Sequence, residues 1–468
     1  MQAGFDQGHE VGALAQKLFP DGLKIGDDAT AFEAVIALTQ AALRKRKPLF
    51  EAAFIFNRGI CRVDILNPAP NGAWDIIEVK STTGLNEVHV EDLAFQVWVL
   101  ANAGLKIRRC YLCHINADFV RVGPVVPKDF FVFKDVTVEA VTSSKLIADK
   151  LEQMAQTISL PESPTIQIGK HCDAPYACPL RDQCWDFLPE ASVFTLYRGG
   201  AKGFAFLKQG IQLLSDIPAD VKLTNNQAIQ RSALISGQAH VDPLAIKAFL
   251  SQLEYPISFL DFETIGPAVP RYDHSRPYQQ IPFQYSLHVL RSKNAPLEHC
   301  QFLAAGTADP RPKFMRQLRD DLPATGSVVV YNASFETSRL KEGGKLLPEF
   351  KPWLKTVLPR IVDLLLPFRG FRYYHPAQNG SASMKAVLPA LTGKSYQGLT
   401  IQEGGTASRE FLRVTYGNVP AKERERVRHD LAEYCGLDTQ GMVDIIQALE
   451  KELCELTESS APQNKIVA

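Results

Sequence analysis

Hydrophobic positions along the chain follow two alternating periods. Val11, Leu14, Leu18 and Phe19 recur at helical spacing until Pro20-Asp21-Gly22 interrupts them, and Phe32, Val35, Ile36, Thr39 and Leu43 mark a second helical face. Strand-like runs follow at 53–56, 61–66, 75–80 and 110–115, with a helix predicted over about 90–102. The second half repeats the theme. Strands are predicted at 257–264, 283–290 and 328–331, and Asp309-Pro310 opens a helix carrying Phe314, Leu318 and Leu322. Residues 421–453 read as helix. Alternation of this kind in both halves predicts mixed α/β architecture. Between the halves, 191–245 is polar and weakly patterned, as Asn225-Asn226-Gln227 and Gln230-Arg231-Ser232 show, which suits a helical connector. The predicted division is therefore 1–190, the connector 191–245, a domain over 246–455, and a frayed tail at 456–468.

Composition narrows the partners. Of 468 residues, 51 are Lys or Arg and 51 are Asp or Glu, so the net charge is 0 and bulk charge cannot hold a nucleic acid. Any polyanion must be met by local patches. No apolar run reaches the roughly 18–20 residues of a membrane span. The start, Met1-Gln2-Ala3-Gly4-Phe5-Asp6, has neither a basic nor an apolar stretch, so no secretory leader is expected. Nine unevenly spaced cysteines point to a reducing cytoplasm rather than to a disulfide framework.

Three groups of residues carry chemistry. In Trp74-Asp75-Ile76-Ile77-Glu78-Val79-Lys80, Glu78 and Lys80 share one strand face while Ile77 and Val79 take the other. Paired with the preceding strand as a hairpin, this segment brings Asp64 beside Glu78. Two carboxylates at one point repel, and a hard cation such as Mg²⁺ or Mn²⁺ relieves them. Lys80 then orients a water or stabilises developing charge. An exposed strand also alternates charge in this way, so the pattern alone is weak. The second group is Cys172, Cys178 and Cys184, three soft donors among prolines, which suit an iron–sulfur cluster or Zn²⁺ with His171 nearby. Cys110 and Cys113, three apart in a strand, point to opposite faces and cannot ligate together.

The third group is the most specific. The apolar strand at 257–264 ends with Asp261 and Glu263 on one face, the strand Val328-Val329-Val330-Tyr331 delivers Glu336 just inside a helix, and Tyr434 and Asp438 lie one helical turn apart. Asp363 is a further acid amid apolar residues. Phe368-Arg369-Gly370-Phe371-Arg372-Tyr373-Tyr374-His375 interleaves aromatics with cations, so Arg369, Arg372 and Tyr373 are candidates for contacting a single strand, with a surface hairpin as the alternative. Lys385 is placed to meet a phosphate, and Arg44-Lys45-Arg46-Lys47 reads as a solvated helix end.

The first group resembles the RecB-like branch of the PD-(D/E)XK nucleases. By that resemblance His9 completes the metal site with Asp64 and Glu78, and Gln96 organises DNA near the metal. The branch's tyrosine four residues after that glutamine is Leu100 here. The resemblance also implies a [4Fe–4S] cluster on Cys172, Cys178 and Cys184, for which no fourth cysteine precedes Cys61. The third group resembles the DEDD 3′→5′ exonucleases of the tyrosine subgroup, whose fold is RNase H-like. That implies two divalent metals held by Asp261, Glu263, Glu336 and Asp438, with Tyr434 orienting the attacking water; Glu336 stands where the family generally has Asp. The whole chain resembles a bacterial family joining the two. The resemblance implies an N-terminal restriction-endonuclease-like domain, a C-terminal RNase H-like exonuclease domain, a nucleic-acid partner with DNA favoured over RNA, and a role in repair, recombination or defence. The alternative is a nucleic-acid-binding or scaffold protein with degenerate nuclease folds.

Overall fold

The structure is a computed structural model, and it describes residues 2–26 and 30–459. Of the tail expected at 456–468, residues 460–468 lie outside the described residues, and the helix before them runs to Ser459. The architecture is mixed α/β, with a six-stranded and a five-stranded sheet and a short two-stranded ladder. The chain forms two compact units, Met1–Ala177 with Gly266–Gln279, and Cys178–Ile265 with Gln280–Ala468. No helix among the described residues is long and apolar enough to cross a membrane.

In the first unit the sheet runs in sequence order: β1 (Leu23–Lys24), β2 (Leu49–Phe56), β3 (Gly59–Pro68), β4 (Trp74–Lys80), β5 (Ile107–Ile115) and β6 (Phe131–Asp135). Strands β2, β3 and β4 form an antiparallel meander. Strand β5 is parallel to β4, so the chain must cross over, which it does through α3 (Glu87–Asn102). Asn86 caps that helix by accepting from the His89 N–H. Along β3, Cys61, Val63 and Ile65 are buried while Arg62 and Asp64 are only half-buried, which gives Asp64 a face of its own. Cys110 belongs to the core under α2 (Phe32–Leu43) and α3, and Cys113 to the core under α1 (Gln2–Gln16), as their odd spacing predicts.

Residues 266–279, read from sequence as part of the C-terminal domain, join the first unit through polar anchors. Arg121 donates to the carbonyls of Pro270 and Arg271 at 2.6 and 2.9 Å, Arg271 pairs with Glu10 at 2.9 Å, and the Tyr278 hydroxyl donates to the Ser81 carbonyl. The stretch 191–245 is helical in part, with helices Ala201–Lys208 and Asn225–Ser236, and it folds as part of the second unit. It carries a small core of Val193, Leu196, Phe206, Leu214 and Ile217.

The second unit's sheet has strands β7 (Ile257–Ile265), β8 (Ile281–Leu290), β9 (Leu297–Leu303), β10 (Val328–Val330) and β11 (Ile361–Asp363), in spatial order β9-β8-β7-β10-β11. Strands β7, β8 and β9 are antiparallel neighbours, and β10 and β11 run parallel to β7. The register sets Asp261 opposite Ser286 and Glu263 opposite Gln284, and an irregularity follows between Glu263 and Thr264. Strand β10 feeds α6 (Ala333–Leu346; α4 is Ile147–Ile158 and α5 is Arg311–Asp321) through Asn332, whose backbone is left-handed at φ 80°. The long α9 (Ala421–Ser459; α7 is Met384–Thr392 and α8 is Gly404–Tyr416) lies against β7 and β8, and Gln284 ties it down by donating to the Leu431 carbonyl at 2.8 Å. Gly326 lies two residues before β10 with φ +81°, where a Cβ would overlap the Pro256 carbonyl oxygen. Gly326→Ala is therefore expected to destabilise the protein by more than about 2 kcal/mol, read as a lowered denaturant midpoint at unchanged slope.

Candidate metal centre

The parallel arm of the second sheet and α9 bring four predicted acids toward one place. Asp261 and Glu263 leave β7 on the same face, and Asp438 comes from α9. One ligand oxygen from each of these three lies within 4.8 Å of the others, the one such group of His, Cys, Asp or Glu ligands among the described residues. Glu263, Glu336 and Asp438 are buried, and Asp261 is half-buried. Glu336 stands outside the 4.8 Å group but its charge is felt by both β7 acids. Its Oε2 is buried with no hydrogen-bond partner among the described residues.

Burial and mutual repulsion dominate the electrostatics. Burial first, then Asp438, Glu263 and Glu336, hold the Asp261 carboxyl well above the usual carboxylate range. Burial, then Asp438, pushes Glu263 up to about 8. Burial pushes Glu336 up to about 8 and Asp438 to about 6. Asp438 is moderated by hydrogen bonds from the Tyr396 and Tyr434 hydroxyls and by the charge of Lys385. The Tyr396 hydroxyl donates to Asp438 Oδ1 at 2.5 Å. The exposed Lys385 carries its ammonium 5.7 Å from the Tyr396 ring centre and 6.0 Å from that of Tyr434. The Cys435 thiol, beside Asp261 Oδ2 at 3.9 Å, is raised by burial and stays protonated.

The first unit gathers its residues differently. Asp64 accepts from the Val79 N–H at 2.7 Å, and burial, Glu78 and Glu51 hold its carboxyl well above the usual range. Glu78 is engaged on both oxygens, by Gln96 at 2.6 Å and by Lys80 at 2.9 Å. Lys80 also pairs with Asp92 at 2.6 Å; burial pulls its ammonium down, and the two carboxylates outweigh that and raise it. His9 is exposed on α1 and enters no three-ligand group with Asp64 and Glu78 among the described residues. Leu100, at the family's tyrosine position, is fully buried core. A cleft of about 580 Å³ opens beside Glu78, lined by Arg62, Phe95, Gln96 and residues of α4.

The reading of Tyr373 needs correction. Tyr373 is 3% exposed and pairs in a two-residue ladder with Val241, and Phe368, Phe371 and Tyr374 are equally buried. This segment packs its rings inward and leaves Arg369, Gly370 and Arg372 exposed, so Tyr373 is no base-stacking platform. Asp363 is a structural acceptor: its Oδ1 takes the backbone N–H of Asn332 at 2.9 Å and of Leu365 at 3.0 Å, which fixes the entry to α6. All three cysteines of the cluster are free, Cys172 buried in a single turn, Cys178 half-buried and Cys184 exposed. Tyr396 escaped the sequence reading, because it lies in a turn with no periodic signal.

Residues 258–383 match a domain of unknown function, DUF2779. That span includes Asp261, Glu263 and Glu336 and stops before Tyr396 and Asp438. The chain is 28% identical over 206 residues to the uncharacterised protein MG366 of Mycoplasma genitalium, covering 40% of this chain and 31% of the relative. It is 27% identical over 218 residues to the MG366 homologue of Mycoplasma pneumoniae, and 22% identical over 218 residues to the uncharacterised protein UU173 of Ureaplasma parvum. The shares are 42% of this chain in both, with 33% and 31% of those relatives. The chain thus spans about a third of the length of the curated relatives it matches. No solved structure matches it.

The raised acids fix the sign of a pH dependence. Unfolded, these carboxyls ionise near pH 4, whereas folded Asp438 holds its proton to about 6 and Glu263 and Glu336 to about 8. The folded state therefore keeps protons that the unfolded state releases, so this contribution to stability is full below about pH 4 and is lost as pH rises through 6 to 8. In chelator, Asp261→Asn is expected to stabilise the protein, and to do so more at pH 8 than at pH 5. Thermal melts across that range check it.

Proposed function

We propose that the second unit is a two-metal-dependent nuclease centre, a 3′→5′ exonuclease of RNase H-like architecture, and that the first unit is a RecB-like PD-(D/E)XK nuclease domain. One observation carries the reading: Asp261, Glu263 and Asp438 converge within 4.8 Å, and buried Glu336 nearby offers an unpartnered oxygen. Three converging carboxyls with a fourth nearby, and no cation among their hydrogen-bond donors in the described residues, suit hard divalent ions, and their all-oxygen chemistry fits Mg²⁺ or Mn²⁺. The strand order β9-β8-β7-β10-β11, with the last two parallel to β7, supports the RNase H-like assignment. The order of α1, a β2–β4 meander, α3 and β5 supports the restriction-endonuclease-like one.

Asp261, Glu263, Glu336 and Asp438 would hold the cations, which supply charge neutralisation and Lewis-acid polarisation of a phosphodiester. The protein's own groups do the rest. Tyr434 keeps its phenolic proton, because burial and the neighbouring acids raise it, and so offers a neutral hydroxyl to orient the attacking water. Lys385 stands exposed beside both tyrosine rings and meets a substrate phosphate. In the first unit Asp64 and Glu78 are the ligands, Lys80 the water-orienting group and Gln96 the clamp on Glu78. The engagement of both Glu78 oxygens favours a second reading for that unit alone, a nucleic-acid-binding role with its centre degenerate. Cys172, Cys178 and Cys184 are read as soft-metal ligands, a [4Fe–4S] cluster or Zn²⁺, and nine free cysteines suit a reducing cytoplasm. The partner is nucleic acid, DNA before RNA, in repair, recombination or defence.

Incubation with 3′-labelled single-stranded DNA or RNA and Mg²⁺ or Mn²⁺ tests the reading. Asp261→Ala is expected to lower cleavage by more than about 100-fold, the upper end of what losing an outer-shell metal partner costs. Asp64→Ala, assayed separately, assigns any remaining cleavage to the first unit. A parent protein that never cuts, or one whose cleavage survives both substitutions, overturns the proposal. Visible absorption of freshly purified protein is expected to reveal the cluster, and zinc content without colour would replace it.

A further inference from the structure

Beyond the four acids, the second unit holds Tyr396 in an unusual way. It lies in the short segment between α7 and α8, bracketed by Gly393 at φ +74° and Gly398 at φ +94°, two left-handed positions that glycine occupies without strain. Two residues before it, Lys394 pairs with Asp444 of α9 at 2.7 Å, and Gln440 donates to the other oxygen of Asp444 at 3.1 Å. Asp444 follows Asp438 by six residues on the same helix, so the segment is pinned to the helix that carries the metal-centre acid. From that anchorage the buried Tyr396 ring reaches Asp438, and its hydroxyl donates to Oδ1 at 2.5 Å. One oxygen of the same carboxylate lies within 4.8 Å of oxygens of Asp261 and Glu263. Tyr434 approaches the same carboxyl from one turn earlier on α9, so its position is coupled to the helix itself, whereas Tyr396 arrives from a separate segment.

We infer that Tyr396 is a positioning residue for the metal centre: it holds Asp438 in the orientation that binds a divalent cation, and the glycine-bracketed segment 393–398 is the strap that carries it. The inference rests on the proposed metal centre. A carboxylate that accepts one strong hydrogen bond from a fixed donor loses rotational freedom before the cation arrives, and its remaining oxygen is aimed. A phenol suits the task because it donates without adding charge, so it orders the acid without competing as a cation would. Lys385, its ammonium 5.7 Å from the same ring centre, stays on the exposed side and leaves the hydroxyl to Asp438.

Titration of the full chain with Mn²⁺, followed calorimetrically, tests this without any turnover. Tyr396→Phe keeps the ring and removes only the hydroxyl, and it is expected to weaken Mn²⁺ binding by about tenfold or more, as loss of an outer-shell partner does. In an Asp438→Asn background the same change is expected to have no further effect, because its influence passes through that carboxyl. Unchanged or tighter binding by Tyr396→Phe, or an equal loss in both backgrounds, overturns the inference. Should the variant fold poorly, Lys394→Gln loosens the strap instead and is expected to weaken Mn²⁺ in the same direction, and no change there also overturns it. Failure of the unaltered protein to bind Mn²⁺ strikes the metal-centre reading itself, which separates the two outcomes.

Discussion

Everything in the second unit turns on carboxyls crowded into a buried space. Desolvation disfavours the charged forms of Asp261, Glu263, Glu336 and Asp438, and repulsion adds to it, at Asp261 and Glu263 from their neighbours in the group and at Glu336 from Asp363, so these acids keep protons above their ordinary range. Such an arrangement costs stability unless something positive joins it. Among the described residues only Lys385 offers positive charge to Glu263 and Asp438, and it does so from an exposed position. The fold accepts this cost at one place and surrounds it with devices that hold each acid still. Gln284 ties α9 to β8, Asp363 fixes the entry to α6, and two tyrosine hydroxyls meet Asp438.

The two units treat similar residue types in opposite ways. In the first, Glu78 is satisfied by Lys80 and Gln96, and Lys80 is shared with Asp92, so a chain of short polar contacts balances Glu78 and leaves repulsion standing at Asp64. In the second, repulsion is left standing. A satisfied network rigidifies, whereas an unsatisfied one is a place for a ligand. That contrast, rather than the motifs themselves, is why the second unit carries the stronger claim to chemistry.

Much of this was legible in the chain, for reasons that lie in period and spacing. Period-two alternation along 61–66 and 257–264 set Asp64 and the Asp261/Glu263 pair on defined faces, and the four-residue spacing of Tyr434 and Asp438 set them on one side of a helix. Other features depended on tertiary contacts that leave no local trace. Tyr396 lies in a turn whose only signals are glycines, and its meaning comes from Asp438, distant in sequence. The loop 266–279 looked like part of its sequence neighbours until Arg121 and Glu10 claimed it. Aromatics interleaved with arginines around Tyr373 have the composition of a strand-binding surface and equally that of a hairpin with its rings turned inward. Residues 44–47 are exposed beyond the end of α2, as a solvated helix end should be, and Arg46 in addition donates to the carbonyls of Ala69 and Ala73 and covers the Trp74 ring.

The most direct measurement is anomalous diffraction at the manganese edge from crystals grown with Mn²⁺. The account predicts density between Asp261, Glu263, Glu336 and Asp438, with carboxylate oxygens at about 2.0–2.3 Å, near the distances hard cations take. A folded protein with these side chains ordered, Mn²⁺ in the crystal and no peak among them would contradict it.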